Sequence, residues 1–147
     1  YAIVAGRAHP LASRATVTPA DLVGQRWLYG LGVGDIEQAL AGAFDEHGLP
    51  RPVPAVESTS VQFGMAALAS GEFLGVLPLA LAQDAFESGR LRRLRVPGFE
   101  WRRPLALYRR RAASLSPATL VCLDALHRAA GPAGALLESV DGEPRSA

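Results

Sequence analysis

Phe73-Leu74-Gly75-Val76-Leu77 is an unbroken apolar run held between Gly71-Glu72 and Pro78. A strand of this kind has no face to offer water, so it belongs in a sheet covered on both sides, and helices are the usual cover. The rest of the chain must therefore supply neighbouring strands and amphipathic helices.

It supplies both. Tyr1 to Ala5 and Arg26 to Tyr29 read as strands, the second stopping at Gly30. Pro52 to Glu57 reads as a strand whose Pro54 belongs at a sheet edge or bulge. Leu91 to Val96 and Trp101 to Arg111 are further extended candidates. Between them, Asp35 with Gln38 can cap a helix carrying Ile36, Leu40, Ala43, Phe44 and His47 on one face until Gly48 ends it. Thr59 with Gln62 forms a second capping-box pattern, opening a helix on Val61, Met65, Leu68 and Ala69 that closes at Gly71. Pro78 pre-sets a helix reaching Phe86, and Ser116-Pro117 opens a last one on Leu120, Leu123, Leu126 and Ala130, stopped by Gly131-Pro132. Arg7 to Pro19 is a loop, followed by a single helical turn at Pro19 to Leu22. Strands alternating with helices at this spacing predict an α/β domain with a largely parallel, helix-covered sheet.

At 147 residues the chain is long enough for one domain with a real core. No apolar run approaches the ~20 residues that cross a bilayer, so no membrane partner is expected. A single cysteine, Cys122, excludes an internal disulfide and any cysteine-cluster metal site; its apolar neighbours predict a buried, inert thiol. The formal net charge is +1, which gives no reason to expect nucleic acid as a partner. All 15 basic residues are arginine, and those between Arg90 and Arg111 share their window with one acid, Glu100. Without aromatic interleaving or a DNA-reading motif, that window reads as a solvated strand face rather than a nucleic-acid patch.

Two junctions carry chemistry. Gly30-Leu31-Gly32-Val33-Gly34-Asp35 lies after a strand and before a helix, where backbone amides and the positive end of the helix dipole are open to an anion. A dinucleotide fingerprint would need glycine where Asp35 stands, although Glu57 does sit where a ribose-binding acid would be. Ser58, Thr59 and Ser60 open the next helix and form a second candidate anion seat, which helix capping alone also explains. In open α/β sheets ligands gather where strands end and helices begin, so the two junctions are expected on one rim. No catalytic constellation is present: His9, His47 and His127 have no partner at metal-ligand spacing, and there is neither a nucleophile elbow nor a lysine for a phosphate loop. Trp27, Tyr29 and Trp101 read as core aromatics.

Taken in order, His9-Pro10-Leu11-Ala12, Val17-Thr18-Pro19-Ala20-Asp21-Leu22, Val56-Glu57-Ser58-Thr59-Ser60-Val61 and Ala69-Ser70-Gly71-Glu72-Phe73-Leu74-Gly75-Val76-Leu77-Pro78 resemble the effector-binding domain of LysR-type bacterial regulators. The sequence departs from the family at Glu72-Phe73, where a glycine or small residue is usual, which affects the shape of that turn. The resemblance covers about residues 1 to 130.

It implies a periplasmic-binding-protein-like (type 2) fold, with a small effector held between two lobes. The chain would hold one complete lobe, about residues 1–105, plus the return strand and C-terminal helix of the other, about 101–130, with 131–147 as a tail. The winged helix-turn-helix would precede Tyr1, so DNA would be bound only through that absent part. The resemblance further implies a cytoplasmic regulator that is not an enzyme, needs no cofactor or metal, and pairs as a homodimer or higher oligomer. Its effector, a small anion or polar metabolite, would be met by Gly30, Leu31, Gly32, Ser58, Thr59 and Ser60. The truncation implies an exposed apolar stripe on the last helix at Leu120, Leu123 and Leu126. A solute-binding protein of a transport system, which shares the fold, and a nucleotide-dependent oxidoreductase built on Gly30 to Asp35 are the rival readings.

Overall fold

The computed structural model describes residues 1–30, 35–103 and 115–130, which fall into two compact units divided between Arg103 and Pro104. The first unit is built on one sheet of five strands: β1 (Ala2–Gly6), β2 (Trp27–Tyr29), β3 (Pro54–Glu57), β4 (Leu74–Leu77) and β5 (Leu91–Arg93), in the order β3-β2-β4-β1-β5. The apolar run Phe73 to Leu77 forms β4 from Leu74 onward and is buried along its whole length. It lies between β2, to which it is parallel, and β1, to which it is antiparallel.

The parallel sheet expected from the alternation is realised in four strands, and β1 runs against them. β2 is parallel to both β3 and β4, whereas β1 is antiparallel to β4 and β5. The reason lies in the connections. A parallel neighbour needs a crossover, usually a helix. From β1 to β2 the chain passes only two 3-10 turns, Pro10–Ser13 and Pro19–Leu22. The β2–β3 and β3–β4 connections do contain helices: α1 (Asp35–Glu46) and α2 (Val61–Ala69). Pro54 opens β3 at the sheet edge, and the register slips between Trp27 and Leu28, the two settings that tolerate a strand proline.

Side-chain alternation splits the core into two layers. Ile3, Ala5, Trp27, Leu74 and Val76 face Ile36, Leu40, Ala43 and Phe44 of α1 together with Leu94, Val96 and Phe99. Val4, Leu28 and Leu77 face Leu68 of α2 and Ala85 of α3 (Gln83–Glu87). Burying both faces in this way stabilises by about 25 cal/mol for each Å² of apolar surface removed from water. In the first layer Trp27, Phe44, Phe99 and Trp101 meet edge to face in sequence, with centroid separations of 6.1, 5.3 and 6.1 Å. Trp27 and Trp101 therefore belong to core packing, as expected of isolated aromatics. On the second layer a Cβ at Gly6 would come within 2.3 Å of the Leu68 carbonyl oxygen, so only glycine lets the end of α2 cross β1 so closely.

Leu91 to Val96 is extended only as far as Arg93 in the sheet, and Leu94 then bonds back to Ile3. Of the expected Trp101 to Arg111 strand only Trp101 to Arg103 are described, and they form no strand, although Trp101 donates its amide to the Tyr1 carbonyl; the remainder lies outside the described residues, as does the tail beyond Ala130. In the second unit, α4 (Pro117–Ala130) begins where Ser116-Pro117 indicates, with the Ser116 hydroxyl accepting from the Thr119 amide at 3.2 Å. Cys122 is exposed on α4 rather than buried, as are Leu120 and Leu126. Val121 beside it is also exposed, so the apolar neighbours were a poor guide to burial there.

Candidate functional site

The C-terminal ends of β2 and β3 lie side by side, Tyr29 against Glu57. Beyond them the chain turns away into α1 and α2, and between these ends opens a pocket of about 500 Å³ lined by Tyr29, Gly30, Glu37, Glu57, Ser58 and Thr59. That volume is ordinary for a small-molecule site. A narrow gap of about 10 Å³ lies nearby between β2, α1 and Val76, sharing Tyr29, Gly30 and Glu37 with the pocket wall and having room for about one water.

Gly30 is required where it stands. Its φ is +95°, and a Cβ there would lie 2.6 Å from the Ser58 carbonyl oxygen. The two strand ends thus approach too closely for any side chain, and the Ser58 amide closes the contact by donating to the Tyr29 carbonyl at 3.0 Å. The Gly30 amide donates to Glu37 Oε1 at 2.9 Å, so a carboxylate of the first turn of α1 already occupies the strand-end donor. Asp35, expected to cap that helix, instead pairs with Arg103 at 2.7 Å.

The second junction is also partly self-satisfied. The α2 cap is Ser60, whose hydroxyl accepts from the Phe63 amide at 3.3 Å, and not Thr59 as the capping-box pattern suggested. The capping box was placed one residue early because three hydroxyl residues stand in a row. The Ser60 amide in turn donates to Ser58 Oγ at 3.2 Å. Thr59 is left exposed on the pocket wall, and the first-turn amides of Val61 and Gln62, which no helix satisfies internally, are left to water or a ligand.

Of the six residues singled out from the sequence, Gly30, Ser58 and Thr59 line one pocket and Ser60 caps the helix beside it. Leu31 and Gly32 lie outside the described residues. Sequence reasoning missed Glu37 and the functional placement of Tyr29. An acid two residues into a helix that follows a glycine turn was the available signal for Glu37, since first-turn carboxylates meet unpaired amides. Tyr29 is half-buried, donates its hydroxyl to the Pro52 carbonyl at 3.3 Å, and has its phenol pushed up to about 12, first by burial and then by the charges of Glu37 and Glu57. Among the described residues no group of three or more His, Cys, Asp or Glu side chains could hold a metal, and no helix is long and apolar enough to cross a membrane.

The sequence model of the LysR substrate binding domain matches residues 1–131. The chain belongs to that family. It has the periplasmic-binding-protein-like fold of that class. Among solved structures it is similar to the regulatory domain of NMB2055 (MetR), a LysR family regulator from N. meningitidis, at 16% identity with a TM-score of 0.52. That match covers 65% of this chain and 44% of the MetR chain, so the LysR domain described here spans less than half of that structure. No curated protein sequence matches the chain. At this identity the likeness to MetR shows the fold alone, and the family match carries the assignment.

Proposed function

We propose that this chain senses a small anion or polar metabolite in the pocket at the ends of β2 and β3, and reports its binding to a transcription regulator without chemistry of its own. The observation that carries this reading is the meeting of Gly30, Ser58 and Thr59 around one open pocket in a chain of the LysR substrate binding domain family. Ligand groups would be held by the Ser58 and Thr59 hydroxyls, the first-turn amides of α2 and the wall formed by Tyr29. In this reading Leu31 and Gly32 complete the rim.

The chain forms one lobe about as far as residue 105, with the return strand and α4 serving the other lobe, and the apolar residues Leu120, Leu123 and Leu126 are covered there. DNA is contacted through a different segment of a cytoplasmic, self-associating regulator. A solute-binding role in transport would use the same fold, but the family match favours regulation.

The test is a thermal-shift screen of the chain against small carboxylates, aromatic acids, sulfur anions and nicotinamide nucleotides, because a ligand that binds only the folded state raises its apparent stability. Stabilisation by one class that is lost in Thr59→Leu is the expected result. Stabilisation by a nucleotide alone, or stabilisation untouched by Thr59→Leu, would sink the site assignment.

A further inference from the structure

We infer that the small molecule received in this pocket carries a cationic nitrogen, an ammonium or guanidinium group, which docks against the carboxylates of Glu37 and Glu57. The inference rests on the pocket being the effector site and narrows what that site accepts.

Of the described residues that line the pocket, Glu37 and Glu57 are acidic and none is basic. Ion pairs among the described residues engage Asp21, Asp35, Asp45, Glu72, Glu100 and Asp124, and none engages Glu37 or Glu57. Glu37 is held in place by the Gly30 amide, a neutral donor that fills one of roughly four acceptor positions on a carboxylate. The phenolic proton of Tyr29 is given to the Pro52 carbonyl rather than to either acid. Among the described residues, then, no cation is paired with either carboxylate on the pocket wall.

Several of the donors that would welcome a simple anion are meanwhile committed. The amides of Gly30, Ser58, Ser60 and Phe63 donate to Glu37, the Tyr29 carbonyl, Ser58 and Ser60 respectively. A ligand with negative charge alone would reach the Thr59 hydroxyl and the first-turn amides of α2 only with two carboxylates beside it. One with a cationic nitrogen finds two acceptors and the ring of Tyr29, a surface on which cations settle readily. Tyr29 keeps its proton through the neutral range, so it adds a hydrogen-bonding wall and not a third anion. An anionic group on the same molecule remains compatible with Thr59 and the first turn of α2, which makes an amphoteric metabolite the best fit.

The experiment titrates the whole chain by calorimetry with three matched series: 2-amino acids, 2-hydroxy acids bearing the same side chains, and the corresponding primary amines. Amino acids or amines should bind, with the hydroxy acids at least ~10-fold weaker. Glu37→Gln keeps an acceptor for the Gly30 amide, and Glu57→Gln alters an exposed strand end, so both variants should fold, as circular dichroism would verify. Each should weaken the amine-bearing ligands several-fold while leaving the hydroxy acids unchanged or tighter. Hydroxy acids binding as well as amino acids, or amine binding unchanged in both variants, would overturn the inference and leave the pocket standing. No binding by any series would remove the pocket as the effector site, and the inference with it.

Discussion

Glu37 Oε1 accepts the amide of Gly30 at 2.9 Å, tying the first turn of α1 to the end of β2. The bond joins two segments flanking the glycine-rich turn, and its two partners also line the pocket. One contact thus sets both the local geometry of the strand end and the charge that a ligand meets. An oxygen acceptor supplied by the protein takes the place that an anion would otherwise occupy at such a junction.

Gly30→Ala should be among the most damaging single substitutions at the site. Alanine is strained at φ +95°, and its Cβ would lie 2.6 Å from the Ser58 carbonyl oxygen, a backbone atom that cannot swing aside. A loss of about 2 kcal/mol or more is expected, measured by urea unfolding. A loss within about 0.5 kcal/mol, the usual range for a surface change, would mean that the strand ends can separate at little cost.

Tyr29 offers a spectroscopic view of the same wall. Its phenol should titrate near 12 in an absorbance titration, well above the ordinary tyrosine value near 10. Burial is the largest cause and the two acids add to it, so Glu37→Gln and Glu57→Gln should each lower the titration point without bringing it to 10. If neither variant moves it, the carboxylates do not face the phenol.

Much of this arrangement was legible in the sequence. The apolar run of β4, the one-sided pattern Ile36, Leu40, Phe44 of α1 and the glycine stops at Gly48 and Gly71 all follow from periodicity and backbone sterics, which are local. The four family motifs identified the class. What was not legible depends on partners distant along the chain. Nothing local states that β1 runs against the other strands, because that follows from what the β1–β2 connection leaves out. Nothing local tells which of three successive hydroxyls caps α2, or that Glu37 reaches back to Gly30. The burial of Cys122 failed for a related reason: short apolar windows do not reveal which face of a helix is covered.

The cap assignment has a direct consequence for stability. Ser60→Ala removes the acceptor for the Phe63 amide and should cost about 1 kcal/mol. Thr59→Ala, at an exposed position without a capping bond in the chain, should cost no more than about 0.5 kcal/mol. Chemical unfolding of the two variants side by side checks this, and equal losses would return the cap to Thr59.

His9 should make the fold sensitive to mild acid. The residue is buried, and its Nδ1 accepts the Leu11 amide at 3.1 Å, a role open only to an imidazole unprotonated at that nitrogen. Burial holds its pKa below the ordinary 6.5. Above about pH 6.5 both folded and unfolded chains carry a neutral His9, and the group adds no pH dependence. As the pH falls through that value the unfolded chain takes up the proton first, so stability declines until the pH passes the folded pKa. His9→Asn keeps a side-chain oxygen able to cap the Pro10–Ser13 turn but cannot titrate. Unfolding free energies between pH 7.5 and about 5 should therefore fall less steeply in the variant than in the parent, whereas parallel curves would show that the buried imidazole takes up its proton as easily as a solvated one.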